Sequence, residues 1–140
     1  MMGIQDLIFG KLQYRTQIVT FRRRKFNLEI ADTFRKLSAG LMEHDGIGKD
    51  QGMLFIFGES GRHGIWMLHM KFSIDILWLD GRGKVLHIVS SAPACKSMLN
   101  CKTYNPNVES RFVVEMKAGV AKELKIKVGD AFIPERALPL

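Results

Sequence analysis

The amino-acid sequence predicts a mainly β domain, a small sandwich or partly open barrel of mostly antiparallel short strands with two or three short helices. Short apolar runs recur along the 140 residues and are separated by turns rich in Gly, Asp and Asn. Asp80 and Gly81 stand between two such runs, which is a strong signal for a β-hairpin. Long amphipathic patterns between the runs are missing, so helices that join parallel strands are not expected. The length suits a single domain over residues 1–140.

The first third of the chain predicts a helix, a hairpin and a second helix. Apolar residues at helical spacing within residues 1–16 indicate a helical N-terminal extension. Two apolar segments flank a basic tip within residues 17–31 and predict a hairpin. A short helix is predicted over residues 33–39, with Asp32 or Thr33 accepting its first free N–H groups.

Strands dominate the rest of the chain. A short helix is predicted over residues 118–126. The tail, residues 134–140, contains two prolines and is expected to fray. Further strands are predicted at residues 53–57, 74–79, 85–89, 111–116 and 128–133.

A basic segment formed by Arg22, Arg23, Arg24 and Lys25 is the centre of the net charge of +7. Such a segment can contact phosphate groups, and nucleic-acid binding through it is one alternative function. The favoured interpretation is a solvated hairpin tip, because aromatic residues are not interleaved in a stacking pattern.

Location and cofactor content are constrained by what the sequence lacks. The apolar runs are too short to span a bilayer, and the start of the chain lacks a basic signal region, so a cytoplasmic protein is expected. Cys95 and Cys101 are therefore expected to be free thiols, although a pair on one loop could also close a small disulfide. Neither a metal site nor a cofactor is predicted, because His69 and His87 stand at no recognisable ligand spacing.

Six short blocks carry a family resemblance. In this order they resemble domain-of-unknown-function family 192, also called uncharacterised protein family 0127. The resemblance covers about Phe26 to Ile133 and implies a small β-rich domain, but it implies no activity. The blocks are EIADT with GLM (Glu29–Met42), GMLFIF (Gly52–Phe57), WM (Trp66, Met67), IDILWLD (Ile74–Asp80), VVEMKAG (Val113–Gly119) and VGD (Val128–Asp130).

The sequence departs from the family's pattern at two places. Many members follow the Trp-Met pair with Lys-Asn-Thr, where this sequence has Leu68, His69 and Met70. Members also tend to carry an arginine three residues before Gly-Leu-Met, where this sequence has Leu37. A ligand role of those polar groups in relatives would not transfer to this chain.

Two carboxylates on otherwise apolar strands are the main candidates for a site. Asp75 shares a strand face with leucines, so it must be paired, hydrogen-bonded or protonated. It is either a ligand anchor or general acid/base, or an acceptor of backbone N–H groups from a neighbouring loop, and the second interpretation is favoured. Glu115 is the second carboxylate on an apolar strand. The two carboxylates could form a pair, or they could together bracket an arginine such as Arg62 or Arg111.

The preferred hypothesis is a non-enzymatic binding module for a small polar ligand or a peptide. Its candidate ligand-binding residues are Trp66, Met67, Asp75 and Glu115, because a tryptophan face suits stacking and the carboxylates suit polar groups. The first alternative is a hydrolase-type enzyme that uses Asp75 and Glu115 across one cleft, and the second is the nucleic-acid binder. Catalytic residues are not assigned, since no nucleophile elbow occurs and whether the protein is an enzyme stays open.

Overall fold

The described residues, 12–95 and 97–138 of the computed structural model, form two β-sheets and three short helical segments. The helices are α1 (Phe34–Ala39), α2 (Val120–Glu123) and a 3-10 turn at Met98–Asn100. The mainly β class expected from the sequence is confirmed. The strands are β1 (Thr16–Phe21), β2 (Arg24–Ala31), β3 (Gln51–Gly61), β4 (Ile65–Trp66), β5 (Ile74–Leu79), β6 (Val85–Ala92), β7 (Thr103–Tyr104), β8 (Ser110–Lys117) and β9 (Ile133–Pro134).

Seven strands form the main sheet in the order β6-β5-β8-β3-β2-β1-β9, and β4 pairs with β7 in a small second sheet. All pairs are antiparallel except β2 with β3, which α1 connects as a crossover. Backbone bonds tie Gly129 and Phe132 to Val85 and Gly83 at the β6 edge, while β9 pairs with β1 at the other edge. The sheet therefore curls into a partly closed half-barrel.

Each face of the curled sheet has its own core. One face, the α2 core, packs beneath α2 and the 129–132 segment, and Leu77, Leu79, Phe112, Val114 and Met116 belong to it. The opposite face, the α1 core, packs beneath α1, its following loop and the small sheet. It includes Met53, Ile76, Trp78 and Val113. Strand β5 is buried throughout because both of its faces contribute to a core.

Both predicted hairpins are present. Arg22 and Arg23 have φ angles of 49° and 70° at the β1–β2 tip, which a two-residue turn of this type requires. At the β5–β6 tip, Asp80 Oδ1 accepts the N–H groups of Arg82 and Lys84 at 2.9 Å each. These side-chain bonds stabilise the Asp-Gly turn that the sequence predicted.

The predicted last strand is wrong over most of its length. Residues 128–130 form a turn, in which Gly129 has a φ of 99° and Asp130 Oδ2 accepts the Lys127 N–H at 3.0 Å. Regular pairing begins only at β9. The left-handed conformation of Gly129 and the bond from the Lys127 N–H to the Asp130 side chain interrupt the extended conformation.

The two chain ends differ from what the sequence suggested. The helix expected within residues 1–16 falls largely on residues 1–11, outside the described residues. Beyond β9 the tail is bonded rather than frayed, since Glu135 N–H donates to the Ile18 carbonyl at 2.9 Å. Arg136 N–H donates to Gln17 Oε1 at 2.7 Å, which fixes the tail against β1.

Gly52 lies where β3 approaches β8 most closely. A methyl group at this position would overlap the carbonyl oxygen of Glu115 and crowd Leu28. Because backbone atoms cannot rotate away, Gly52→Ala is expected to lower the free energy of unfolding by about 3 kcal/mol, measured by urea denaturation. Gly58→Ala in the same strand is the matched control, because a methyl there meets no atom within 4 Å. Equal losses in both variants would contradict the steric argument.

Candidate ligand-binding cavity

A cavity of about 450 Å³ lies between α1 with its following turn and β4 with its following connection. The α1 core face of the main sheet forms its floor through Phe55 and Glu115. Its polar side chains are Ser38, His69 and Glu115. The apolar side chains that line it are Leu37, Leu41, Met42, Ile65, Trp66, Leu68 and Met70.

The first wall depends on how α1 ends. Thr33 caps the start of the helix by accepting the Lys36 N–H at 3.2 Å, as one of the two expected caps. Gly40 ends it with φ 50° and ψ −134°, a conformation that only glycine adopts readily. A methyl at Gly40 would lie 3.3 Å from the Phe55 ring and 3.7 Å from Glu115 Oε1. Glycine therefore both turns the chain and keeps space above the cavity floor.

The second wall is the segment that follows β3. Trp66 pairs with Thr103 across the small sheet, and its side chain is 46% exposed beside the cavity. His69 is exposed at the rim, and its backbone N–H donates to the Cys95 carbonyl at 2.9 Å. The core tryptophan is instead Trp78, which is fully buried in the α1 core.

Glu115 is the unusual group in the cavity. It is 3% exposed and lies between Met53 of β3 and Ile76 of β5 in the sheet register. Its Oε2 atom is buried and has no hydrogen-bond partner among the described residues. Burial raises the pKa of the carboxyl from its ordinary value to about 8. An unsatisfied buried polar atom in a native fold requires an explanation, and a ligand group is one.

Asp75 lies on the opposite face of the sheet and is fully buried. Its Oδ1 accepts the Ser91 N–H at 2.8 Å, and its Oδ2 accepts the Ala121 N–H at 2.9 Å. The favoured prediction, that Asp75 accepts backbone N–H groups, is confirmed. The carboxyl thereby fastens β6 and the start of α2 to β5.

The hydrolase alternative is wrong in the form considered. Asp75 is opposite Met116 in the register, and Glu115 is opposite Ile76, so adjacent strands direct the two carboxyls to opposite faces. The two groups cannot act across one cleft with the sheet between them. Nor do the two carboxyls bracket either suggested arginine, since Arg111 Nε donates to the Phe57 carbonyl at 2.5 Å and Arg62 is exposed.

Of the four candidate ligand-binding residues, Trp66 and Glu115 meet at the cavity. Met67 is 1% exposed in the α1 core and lines a smaller cavity of about 280 Å³ beside Cys95. Sequence reasoning missed the contribution of Gly40 and Phe55. Gly40 lies in the family block GLM and Phe55 lies in the block GMLFIF. Their place in these blocks was the signal that could have identified them.

Cys95 and Cys101 are joined by a disulfide, with their Cα atoms 5.5 Å apart. The favoured expectation of free thiols is therefore wrong, and the alternative of a small disulfide on one loop is present. The 3-10 turn between the two cysteines reverses the chain and brings them within bonding distance.

The basic segment is partly neutralised by acidic neighbours. Arg24 Nε lies 2.7 Å from Asp50 Oδ1, and Arg22 lies 3.7 Å from Asp130. Arg23 and Lys25 are exposed. Only Arg22 and Arg23 form the tip, because Arg24 and Lys25 already belong to β2. Nucleic-acid binding through this segment stays a prediction.

Residues 12–95 and 97–138 offer neither a metal-ligating cluster nor a membrane-spanning helix. They contain no cluster of three or more His, Cys, Asp and Glu side chains arranged to hold a metal ion. In the same residues, every helix is too short or too polar to cross a lipid bilayer.

Two relatives of this chain carry only the name of an uncharacterised protein family. A UPF0127 protein of Thermococcus gammatolerans is 28% identical to this chain over 106 residues. These residues are 74% of this chain and 63% of that protein. A UPF0127 protein of Pyrococcus abyssi is 31% identical over 108 residues, 74% of this chain and 81% of that protein. The chain thus spans less than two thirds of the first relative's length.

Two solved structures share the fold. A Sinorhizobium meliloti protein, described as a candidate transcription regulator, has a TM-score of 0.82 and 25% identity, with 89% of this chain and 98% of that chain covered. A Novosphingobium aromaticivorans protein of unknown function has a TM-score of 0.76 and 26% identity, with 87% and 86% covered. A family model described as "Uncharacterized ACR" matches residues 17–133. This chain therefore belongs to domain-of-unknown-function family 192.

Proposed function

We propose that this protein is a non-enzymatic binding module for a small organic ligand that occupies the cavity between α1 and β4. The observation that carries the proposal is Glu115, a buried carboxyl at the cavity floor with an oxygen that lacks a partner. Leaving such a group unsatisfied costs about 1–3 kcal/mol, so a ligand that bonds it gains that interaction. The cytoplasmic location expected from the sequence belongs to the same proposal.

The size and lining of the cavity support a ligand of small-molecule dimensions. A volume of about 450 Å³ falls in the range of about 300–1,000 Å³ that is usual for such sites. Apolar walls with a few convergent polar groups are also usual, because burial provides affinity while polar groups fix orientation. The exposed part of Trp66 offers a flat face at the cavity mouth.

Titration of a library of small organic fragments, followed by tryptophan fluorescence, tests this proposal. Some fragments are expected to change the emission saturably, because Trp66 lines the cavity while Trp78 is buried elsewhere. Calorimetry with Trp66→Ala is expected to show at least about tenfold weaker binding of the same fragments, since their aromatic contact is lost.

Leu99→Ala is the matched control, because Leu99 is an apolar side chain that is 93% exposed and does not line this cavity. It should bind the fragments like the wild type. The proposal fails if no fragment binds, or if bound fragments are insensitive to Trp66→Ala and Glu115→Gln.

A further inference from the structure

The chemistry of the proposed ligand follows from what surrounds Glu115. Its neighbours across the sheet are the apolar Met53 and Ile76, and along its own strand Val113 and the exposed Lys117 share its face. The charged groups on the elements that cover this face are exposed or have other partners, as Lys36 has in the Tyr14 ring, whose centre lies 5.5 Å from its Nζ atom. They include Glu29 with His44, which bond at 2.5 Å, Lys71 with Asp45, which pair at 3.0 Å, and His69 at the rim.

The described residues that line the cavity supply no permanent positive charge. Leu37 and Leu68 line it together with Glu115, and no Lys or Arg stands among the described lining residues. An ionised Glu115 therefore has no lysine or arginine counter-charge within the cavity, and a cationic ligand would supply one.

We propose that the cavity takes a small organic cation, an ammonium group on an apolar or aromatic body, with the nitrogen at Glu115 and the body against Trp66 and Phe55. This inference rests on the proposed binding function. An ammonium donor satisfies the carboxyl oxygen with a charge-assisted bond, and aromatic faces also attract cations. A neutral ligand satisfies the oxygen without supplying a charge opposite to that of the carboxylate.

Binding of a cation to this site involves the Glu115 proton. Because burial raises the pKa of the empty site's carboxyl to about 8, the group is mostly protonated at pH 7. A bound ammonium favours the carboxylate, so the proton leaves to solvent when the ligand enters. Affinity for an amine should therefore rise about tenfold per pH unit up to pH 8 and level off above it.

Calorimetry with a panel of amines tests the inference. The panel contains primary and secondary amines of about 8–14 non-hydrogen atoms, such as 2-phenylethylamine, each beside an alcohol of the same shape, such as 2-phenylethanol. At pH 8 the amines are expected to bind at least about tenfold more tightly than the matched alcohols. Glu115→Gln should remove both this preference and the pH dependence, while the exposed Glu109→Gln should change neither.

A cation introduced into the cavity by mutation should compete with the bound amine for Glu115. Leu37→Arg is expected to lower amine affinity by at least about tenfold, because the guanidinium supplies the charge that the ligand would supply. Leu37→Met, a neutral side chain of similar size, should bind like the wild type. His69→Gln should keep the pH dependence, which separates Glu115 from the other titratable side chain that lines the cavity.

The outcomes separate this inference from the binding function. If alcohols bind as well as amines, or if only neutral fragments bind, the cation inference is wrong and the binding function stands. If no amine of the panel and no other fragment binds, both are wrong. A pH-independent amine affinity in the wild type also overturns the inference.

Discussion

Between pH 5 and pH 8 the protein is expected to lose about 3.5 kcal/mol of its free energy of unfolding through Glu115 alone. In the folded state burial raises the pKa of this carboxyl from 4.5 to about 8. The folded state therefore binds the proton more tightly than the unfolded state does. The stabilising contribution of the proton is fully present below about pH 4.5 and is lost as the pH rises through 8.

Urea denaturation of the wild type and Glu115→Gln at a series of pH values measures this contribution. The glutamine variant cannot ionise at this position, so its stability relative to the wild type should increase by about 1.4 kcal/mol per pH unit up to pH 8. Burying the glutamine amide has its own free-energy cost, but that cost does not depend on pH and therefore leaves the slope unchanged. Glu109→Gln, at an exposed carboxyl, should show no slope. Parallel curves for the wild type and Glu115→Gln would contradict the raised pKa.

Replacing Asp75 with alanine is expected to lower the free energy of unfolding by about 4 kcal/mol. The substitution removes the acceptor of two N–H groups, the buried one of Ala121 and the part-buried one of Ser91, and a buried donor without a partner costs about 1–3 kcal/mol. It also removes the hydrogen bond that joins β5 to α2, whose residues Val120 and Ala121 pack in the α2 core. Asp75→Asn keeps one acceptor oxygen and should lose about half as much.

Asp80→Ala is the matched control for Asp75→Ala. Asp80 also accepts two backbone N–H groups, at 2.9 Å each, but in a hairpin tip that water reaches. Water can replace the lost acceptor there, so the expected loss is about 1 kcal/mol. Equal losses at the two positions would contradict the importance of burial. Fragment binding by Asp75→Asn should equal that of the wild type, because Asp75 lies on the other face of the sheet from the cavity.

The two buried carboxyl groups, those of Asp75 and Glu115, have different roles in the same sheet. Asp75 is satisfied by backbone donors on the α2 side, so its interactions are complete without a ligand. Glu115 has an oxygen without a partner on the α1 side, and its raised pKa predicts that it weakens the fold at high pH. A destabilising group that is retained beside a cavity is typical of binding sites, where stability is exchanged for function.

Several elements could be predicted from the sequence because their signals are local. Thr33 and Gly40 delimit α1, and the Asp80–Gly81 turn defines the β5–β6 hairpin. The alternation of β5 also placed Asp75 among buried leucines and predicted its need for N–H donors. Phe34 shows the limit of such patterns, because it is an apolar residue of α1 whose side chain is nevertheless 87% exposed.

The candidate site was predicted only in part. Trp66 and Glu115 line one cavity, whereas Met67 and Asp75, the other two predicted residues, do not line it. Alternation shows which residues of one strand share a face, whereas the register of β5 against β8 decides which faces of two strands coincide. That register joins Ile76 to Glu115, and it therefore separates the carboxyls.

The sequence by itself determined the β-rich class, the family, the two hairpins and α1, since turn residues, caps and apolar periodicity act over a few neighbouring residues. The tertiary structure decided the cavity, the side of the sheet that each carboxyl occupies, the bonded tail and the disulfide. The cavity joins α1, Phe55, the segment after β4 and Glu115, which are far apart along the chain. Their meeting depends on the strand order and pairing register, which short-range patterns do not encode.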